Sequence, residues 1–194
     1  MDTQDIRALK ILEEIEKNEN PSQRELARKL NVSLGLVNSF LKRLSQKGYF
    51  KITTIPRNRV NYILTPKGFA EKTRLTYEFI QYSLYFYRRA RTDLKSLFRT
   101  LEMDKTYSVV FYGAGELAEI AYLTLQEFNL RLVGVVDDYK AGQRFFKHII
   151  LPPLRVKDLD FDTVIVTSIK SKDIIYGKAL TLNVPPHQIV CLDS

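Results

Sequence analysis

Asn20-Pro21-Ser22-Gln23-Arg24-Glu25 opens a short helix: Ser22 stands where its hydroxyl caps the first turn, and Glu25, three residues on, completes a capping box. Asn31-Val32-Ser33 breaks that helix and caps the next, which is predicted to run to Lys47 and to stop at Gly48. Tyr49-Phe50-Lys51-Ile52-Thr53-Thr54 and Val60-Asn61-Tyr62-Ile63-Leu64 are rich in aromatic and β-branched residues and read as two strands. Between them Ile55-Pro56-Arg57-Asn58-Arg59 forms a turn with arginines at its tip. Two short helices followed by a basic hairpin spell a winged helix-turn-helix. From Leu26 to Ala70 there are nine Lys or Arg residues and no Asp or Glu. A surface that only needs to stay soluble mixes its signs. One stripped of carboxylates points to a polyanion partner, because each carboxylate there would repel phosphate.

Working outward, Thr3 to Lys17 is predicted as the first helix, with Ile6, Leu9, Leu12 (or Ile11) and Ile15 on one stripe. The second helix buries Leu26 and Leu30, and the third packs Val37, Leu41 and Leu44 onto them. Its opposite face presents Ser33, Leu34, Gly35, Asn38, Ser39 and Lys42, small and polar enough to enter a major groove of roughly 12 Å. Asn38 suits an adenine edge; Ser33, Ser39, Lys42 and Arg43 suit phosphates or bases. The competing reading is a merely solvated helix face. Arg57 and Arg59, with Asn58 between them, are candidates for the adjacent minor groove or backbone. Thr65-Pro66 caps and starts another helix.

Ser22-Gln23-Arg24-Glu25-Leu26-Ala27, Ser33-Leu34-Gly35 with Val37-Asn38, Leu41-Lys42 with Leu44, Lys47-Gly48 and Leu64-Thr65-Pro66-Lys67-Gly68 together resemble the MarR-like winged-helix regulators associated with exopolysaccharide gene clusters. The likeness continues through Glu71-Lys72 and Leu75-Thr76 to Phe79, covering roughly residues 8–90. It implies a transcriptional regulator that binds double-stranded DNA at surface-polysaccharide genes.

Past Gly68 nothing breaks a helix until about Leu101. Leu75, Phe79, Tyr82, Phe86, Ala90, Leu94, Leu97 and Leu101 form a seam of near-heptad period. Either it pairs with its copy in a homodimer, as two-fold DNA sites favour, or it packs on the flanking domains. Arg88, Arg89 and Arg91 suit acids, carbonyls or DNA alike.

Val109-Val110-Phe111-Tyr112 is a buried-strand run, followed by Gly113-Ala114-Gly115-Glu116-Leu117-Ala118 and an apolar helix through Phe128. Leu130 to Val136 is the next strand and ends in Asp137-Asp138. Strand, G-x-G-x-x-A, helix, strand, acid is the order of a Rossmann βαβ unit. Its glycines allow backbone to approach phosphate, and Asp137 sits where a carboxylate accepts ribose hydroxyls. The alternative is glycine used only for a tight turn. Further strands are expected at Lys147–Leu151, Thr163–Ser168 and Gln188–Leu192, with a brief helix at Asp158-Leu159 and one capped by Ser171 running to about Leu182. Tyr112-Gly113-Ala114-Gly115 and Gly134-Val135-Val136-Asp137-Asp138 resemble small Rossmann-like domains that bind nucleotide-sugars or coenzyme A in polysaccharide-biosynthesis enzymes. That likeness makes Gly113, Ala114, Gly115, Glu116, Asp137 and Thr167 or Ser168 candidate ligand contacts; a nucleotide-sugar, NAD(H) or a CoA-type molecule are the ligands considered. The domain order is similar to redox-sensing repressors that couple a winged helix to an NADH-binding Rossmann domain.

The fold class expected is therefore α/β: a winged helix-turn-helix over 1–68, a connecting helix over 69–104 and a small Rossmann-like parallel sheet over 105–194. Charge follows that division. Residues 1–104 carry 20 bases against 12 acids, and residues 105–194 carry 10 of each, so the excess of +8 lies in the first half. One cysteine, Cys191, excludes an internal disulfide. With neither a signal-peptide pattern nor an apolar span near ~18 residues, a cytoplasmic location away from membranes is expected. His148 and His187 are the only histidines and read as surface or loop residues. No Cys/His spacing suggests zinc, and no nucleophile–base set suggests catalysis, so no enzyme is expected. The rival from another class is a nucleotide-sugar-modifying enzyme whose winged helix docks protein.

Overall fold

The computed structural model of the chain describes residues 1–17, 21–55, 59–169 and 171–192. Two compact units divide at Tyr85 and Phe86, so one long helix contributes turns to both.

The first unit contains α1 (Thr3–Lys17), α2 (Gln23–Leu30), α3 (Leu34–Gln46), β1 (Phe50–Ile55), β2 (Arg59–Leu64) and the opening turns of α4 (Pro66–Met103). The capping box is formed: Glu25 N–H donates to Ser22 Oγ at 3.1 Å and Ser22 N–H to Glu25 Oε2 at 2.8 Å. The Ser22 amide holds the Glu25 carboxyl below its ordinary value. Asn31 takes the left-handed conformation at the end of α2, and Ser33 Oγ accepts the Leu36 N–H to cap α3. Thr65 Oγ1 accepts the Gly68 N–H at 3.0 Å and so caps α4. Gly68 is required by close packing, since a Cβ there would lie 1.7 Å from the Tyr49 carbonyl oxygen.

The stripe Leu9, Ile11, Leu12 and Ile15 is buried with Leu26, Val37, Leu41 and Leu44, whereas Ile6 and Leu30 are only half-buried. Phe40, Phe50 and Tyr62 join this core; Phe50 and Tyr62 meet edge to face at 5.5 Å. The two strands pair antiparallel from Phe50↔Leu64 to Ile55↔Arg59.

The α4 seam has three fates. Leu75 is buried in the first core. Ala90, Leu94, Phe98 and Leu101 are buried in the second unit, with Phe86 and Leu97 half-buried beside them. Phe79 and Tyr82, between these groups, stay exposed. Packing on the flanking domains thus accounts for both ends of the seam and not for its middle.

The second unit is built on β3 (Ser108–Tyr112), β4 (Arg131–Val136), β7 (Thr163–Val166) and β8 (Ile189–Cys191), all parallel in the order β4-β3-β7-β8. Strand alternation separates two cores. Val109 and Phe111 face α5 (Glu116–Leu125) and the later turns of α4, whereas Val110 and Tyr112 face α6 (Lys172–Thr181). The expected strand over 147–151 is instead a small antiparallel ribbon, β5 (Arg144–Phe145) with β6 (His148–Ile149), after which Leu151 bridges to Val136. The brief helix comes earlier than expected, as a 3-10 turn over Pro153–Asp158 that Pro153 initiates. Ser171 occupies the N-cap position of α6, but its side chain makes no capping bond. The result is an α/β chain: a winged helix, a long helix, and a parallel sheet covered by helices on both faces.

Candidate nucleic-acid interface and sheet-end crevice

On α3 the sequence separates an inner from an outer face. Val37, Phe40, Leu41 and Leu44 are buried, while Ser33, Leu34, Gly35, Asn38, Ser39 and Lys42 are all exposed. Leu34 leaves 41% of its surface open, a large apolar group on an otherwise polar helix end. A Cβ on Gly35 would meet nothing within 4 Å, so the chain's own packing does not demand glycine there. Glycine there leaves the outer side of the first turn of α3 without a side chain.

Arg43, expected to suit phosphates or bases, is turned toward α1. Its Nη1 donates to Gln4 Oε1 at 2.7 Å, and its guanidinium lies 4.6 Å from the Phe40 ring centroid. It is half-buried against α1 and braces α3 rather than projecting with Lys42. Two of the four acids of α1 are engaged in ion pairs, Glu14 with Lys29 and Glu16 with Lys72. Arg57 and Asn58, the expected tip of the wing, lie outside the described residues. Arg59 begins β2, where its backbone pairs with Ile55.

In the second unit, the chain leaves β3 for β4 on one side and returns to β7 on the other. The carboxyl ends of β3 and β7 therefore flank a topological switch point, where open α/β sheets form their crevice. Gly113 ends β3 with φ +111, and a Cβ there would lie 3.1 Å from the Thr167 carbonyl oxygen. Thr167 Oγ1 donates to the Gly113 carbonyl at 2.6 Å, and Thr167 N–H to the Tyr112 carbonyl at 2.9 Å. Gly113, Thr167 and the adjacent Ser168 are thus brought together. Ser168 Oγ accepts the Ser171 N–H at 3.3 Å.

Asp137, the expected ribose acceptor, also ties backbone together. Its Oδ2 accepts the Ala114 N–H at 2.8 Å, and its Oδ1 accepts those of Tyr139 and Lys140 at 2.9 and 3.0 Å. Lys140 Nζ returns a bond to the Ala114 carbonyl at 2.6 Å. Both carboxylate oxygens are occupied in tying the glycine loop to the end of β4. Asp138 points elsewhere and pairs with Lys178 of α6 at 2.7 Å. Burial, and then the Asp138 and Asp137 carboxylates, push the Tyr112 phenol up to about 12.

Gly115 is the N-cap of α5, with an ordinary φ of −98 and no side-chain cap. A Cβ there would meet nothing within 4 Å. Serine or aspartate would fit and would cap the helix better. Glycine instead leaves the first N–H donors of α5 uncovered, while Glu116 stands exposed beside them.

His187 is exposed, whereas His148 is only partly so. It is half-buried on β6 at the edge of the Tyr122 ring, and burial followed by the Lys147 charge lowers its pKa. Among the described residues no group of His, Cys, Asp and Glu is placed to hold a metal ion, and no helix is long and apolar enough to cross a membrane.

Residues 4–51 match the model of the winged helix-turn-helix DNA-binding family, and residues 105–190 match that of the C2185-like N-terminal family. No curated protein matches the chain. Among solved structures, the PcaV transcriptional regulator from Streptomyces coelicolor is similar at 16% identity and TM-score 0.40, over 54% of this chain and 73% of that one. MepR, a transcription regulator of the Staphylococcus aureus multidrug efflux pump MepA, is similar at 18% identity and TM-score 0.39, over 46% and 65%. The Rex-family repressor RSP is similar at 18% identity and TM-score 0.38, over 100% and 88%. The chain carries a winged helix-turn-helix of the DNA-binding type.

Proposed function

We propose that this protein is a dimeric transcriptional regulator whose second unit senses a nucleotide-containing metabolite. The observation that carries the reading is the outer face of α3: Leu34, Gly35, Asn38, Ser39 and Lys42 exposed together, within a stretch that matches a DNA-binding family and holds no acid from Leu26 to Ala70. Such a face enters a major groove without repulsion, with Asn38 reading a base edge and Lys42 meeting phosphate.

The middle of α4 supports the dimer. From Leu75 to Tyr87 the only charged residue is Glu78. Tyr77, Ile80 and Leu84, at helical spacings of three and four, are 64%, 49% and 45% exposed. An apolar patch of this kind suits a protein interface. A second copy brings a matching patch and the second DNA-reading helix that a two-fold site needs.

Gly115 supports the ligand. A glycine the fold does not demand, at a helix start with uncovered N–H donors beside the switch point, suits a phosphate of a nucleotide-sugar, NAD(H) or CoA-type molecule. Glu116, exposed beside those donors, and the remaining acceptor capacity of Asp137 suit sugar hydroxyls. To alter DNA occupancy, the metabolite binds one conformation better than the other, by about 1.4 kcal/mol per tenfold effect. The resemblance to exopolysaccharide-associated regulators points to surface-polysaccharide genes as targets, in the cytoplasm.

The test is selection of duplexes from a random pool by the full-length protein, followed by affinity measurements across potassium chloride concentrations. A two-fold consensus with affinity falling steeply in salt is expected. No enrichment, or salt-independent binding, overturns the reading. Sedimentation of Ile80→Glu should give monomers where the parent gives dimers.

A further inference from the structure

The ribbon β5–β6 turns through Phe146 and Lys147, and Phe146 holds φ +48. A bulky side chain rarely adopts that conformation; glycine or asparagine would make the same two-residue turn without strain. The ring kept at this cost is arranged as a platform. One side stacks on Tyr122, with centroids 4.2 Å apart and planes 21° from parallel, and the ring forms a T-shaped pair with Phe145 at 5.1 Å. Yet Phe146 is still 44% exposed.

The surroundings are cationic. From Tyr139 to Lys157 there are five Lys or Arg residues and no Asp or Glu, so half the bases of residues 105–194 fall in one short window. Lys140 is bonded to the Ala114 carbonyl and Arg155 to Asp158. Arg144 and Lys147, flanking the Phe145-Phe146 step, are exposed and have no side-chain partner among the described residues. Glu119, one helical turn before Tyr122, pairs with neither.

We propose that the β5–β6 tip binds a nucleobase carrying a phosphate: the base stacks on the open side of Phe146, extending the Tyr122–Phe146 stack, and Lys147 and Arg144 take the phosphate. An aromatic face flanked by unpaired cations is the combination that holds nucleotides without reading their sequence. The same chemistry is offered by a free nucleotide and by the end of a single strand. The inference is independent of duplex binding by α3 and of a ligand at Gly115.

The experiment titrates full-length protein with two fluorescent probes, labelled ATP and a short oligothymidylate, with duplex affinity measured in parallel. Two variants are compared with the parent. Phe146→Gly suits the positive φ and removes the ring; Arg144→Ala/Lys147→Ala touches only exposed side chains. We expect each to weaken probe binding roughly tenfold or more, the double variant to flatten its salt dependence, and duplex affinity to stay unchanged. Phe146→Gly should melt no lower than the parent. ATP bound as well as the oligomer identifies a free nucleotide, and tighter binding of the oligomer identifies a strand end. Failure of both probes to bind the parent, or undiminished binding by the double variant, overturns the proposal. So does a Phe146→Gly protein that melts well below the parent and still binds both probes. If Phe146→Gly does not fold, the double variant decides alone.

Discussion

The Asp137 carboxylate accepts the Ala114 N–H at 2.8 Å, joining the end of β4 to the loop that leaves β3. The same group accepts the N–H donors of Tyr139 and Lys140, so three backbone donors converge on one side chain. Hydrogen bonds to a charged group contribute about 1.5–3 kcal/mol, and unmet donors add to the loss when it is removed. Asp137→Ala is therefore expected to destabilise the second unit by about 2–3 kcal/mol, and Asp137→Asn by less. Chemical denaturation followed by circular dichroism measures this. A melting curve for Asp137→Ala that overlays the parent would refute the bracket.

Gly113 and Gly115 belong to one motif in the sequence and to two physical situations in the structure. Gly113 needs its φ of +111 and clearance from the Thr167 carbonyl, whereas Gly115 needs neither. Gly113→Ala should cost about 2 kcal/mol or more through strain. Gly115→Ser should leave stability unchanged or raise it by a few tenths of a kcal/mol, because serine is the better N-cap. It should also abolish any nucleotide that co-purifies, as read by native mass spectrometry. Retention of that nucleotide by Gly115→Ser would locate the ligand away from α5.

Local signals made much of this legible. Ser22 with Glu25, Ser33, and Thr65 with Gly68 form the caps their spacing promised, and α1 runs over Thr3–Lys17 as its stripe required. What escaped depends on tertiary contact. Asp137 stands where a ribose acceptor would, and only the fold reveals that the Ala114 N–H, 23 residues back, also reaches it. Arg43 follows Lys42 directly, yet a 100° step along a helix turns it toward Gln4 and Phe40. Leu75, Ala90, Leu94 and Leu101 of the α4 seam are buried, but period alone does not say which neighbour covers each turn. Phe98, absent from the expected seam, is fully buried, while Tyr82 within it is 47% exposed.

His148 sets a pH dependence. Burial among Tyr122 and its neighbours, then the Lys147 charge, lower its folded pKa from an ordinary 6.5. The unfolded chain therefore binds the proton more readily than the folded one. The stability due to the neutral imidazole is fully present above the unfolded value and is lost as pH falls through that value toward the folded one. Melting temperature should decline as pH falls through the ordinary value of 6.5, and His148→Gln should flatten that part of the profile. An unaltered slope in His148→Gln would assign the decline to other groups.

Asn38, Lys42 and Arg43 lie within six positions on α3 and should fail in three different ways. Asn38 is exposed on the outer face, so Asn38→Ala is expected to cost ~1–3 kcal/mol on the selected site and little on random duplex. Lys42 is exposed on the same face and offers only charge, so Lys42→Ala should weaken both DNAs alike and reduce the salt slope by about one ion. Arg43 braces α3 against Gln4 and Phe40, so Arg43→Ala should lower the melting temperature of the first unit. It should leave the salt slope nearly unchanged, because its guanidinium is not on the docking face. Anisotropy titrations on specific and random duplexes at several salt concentrations, beside thermal melts, separate the three. Equal losses on both DNAs for Asn38→Ala would remove base readout from this helix, and a full unit lost from the salt slope in Arg43→Ala would return that side chain to the interface.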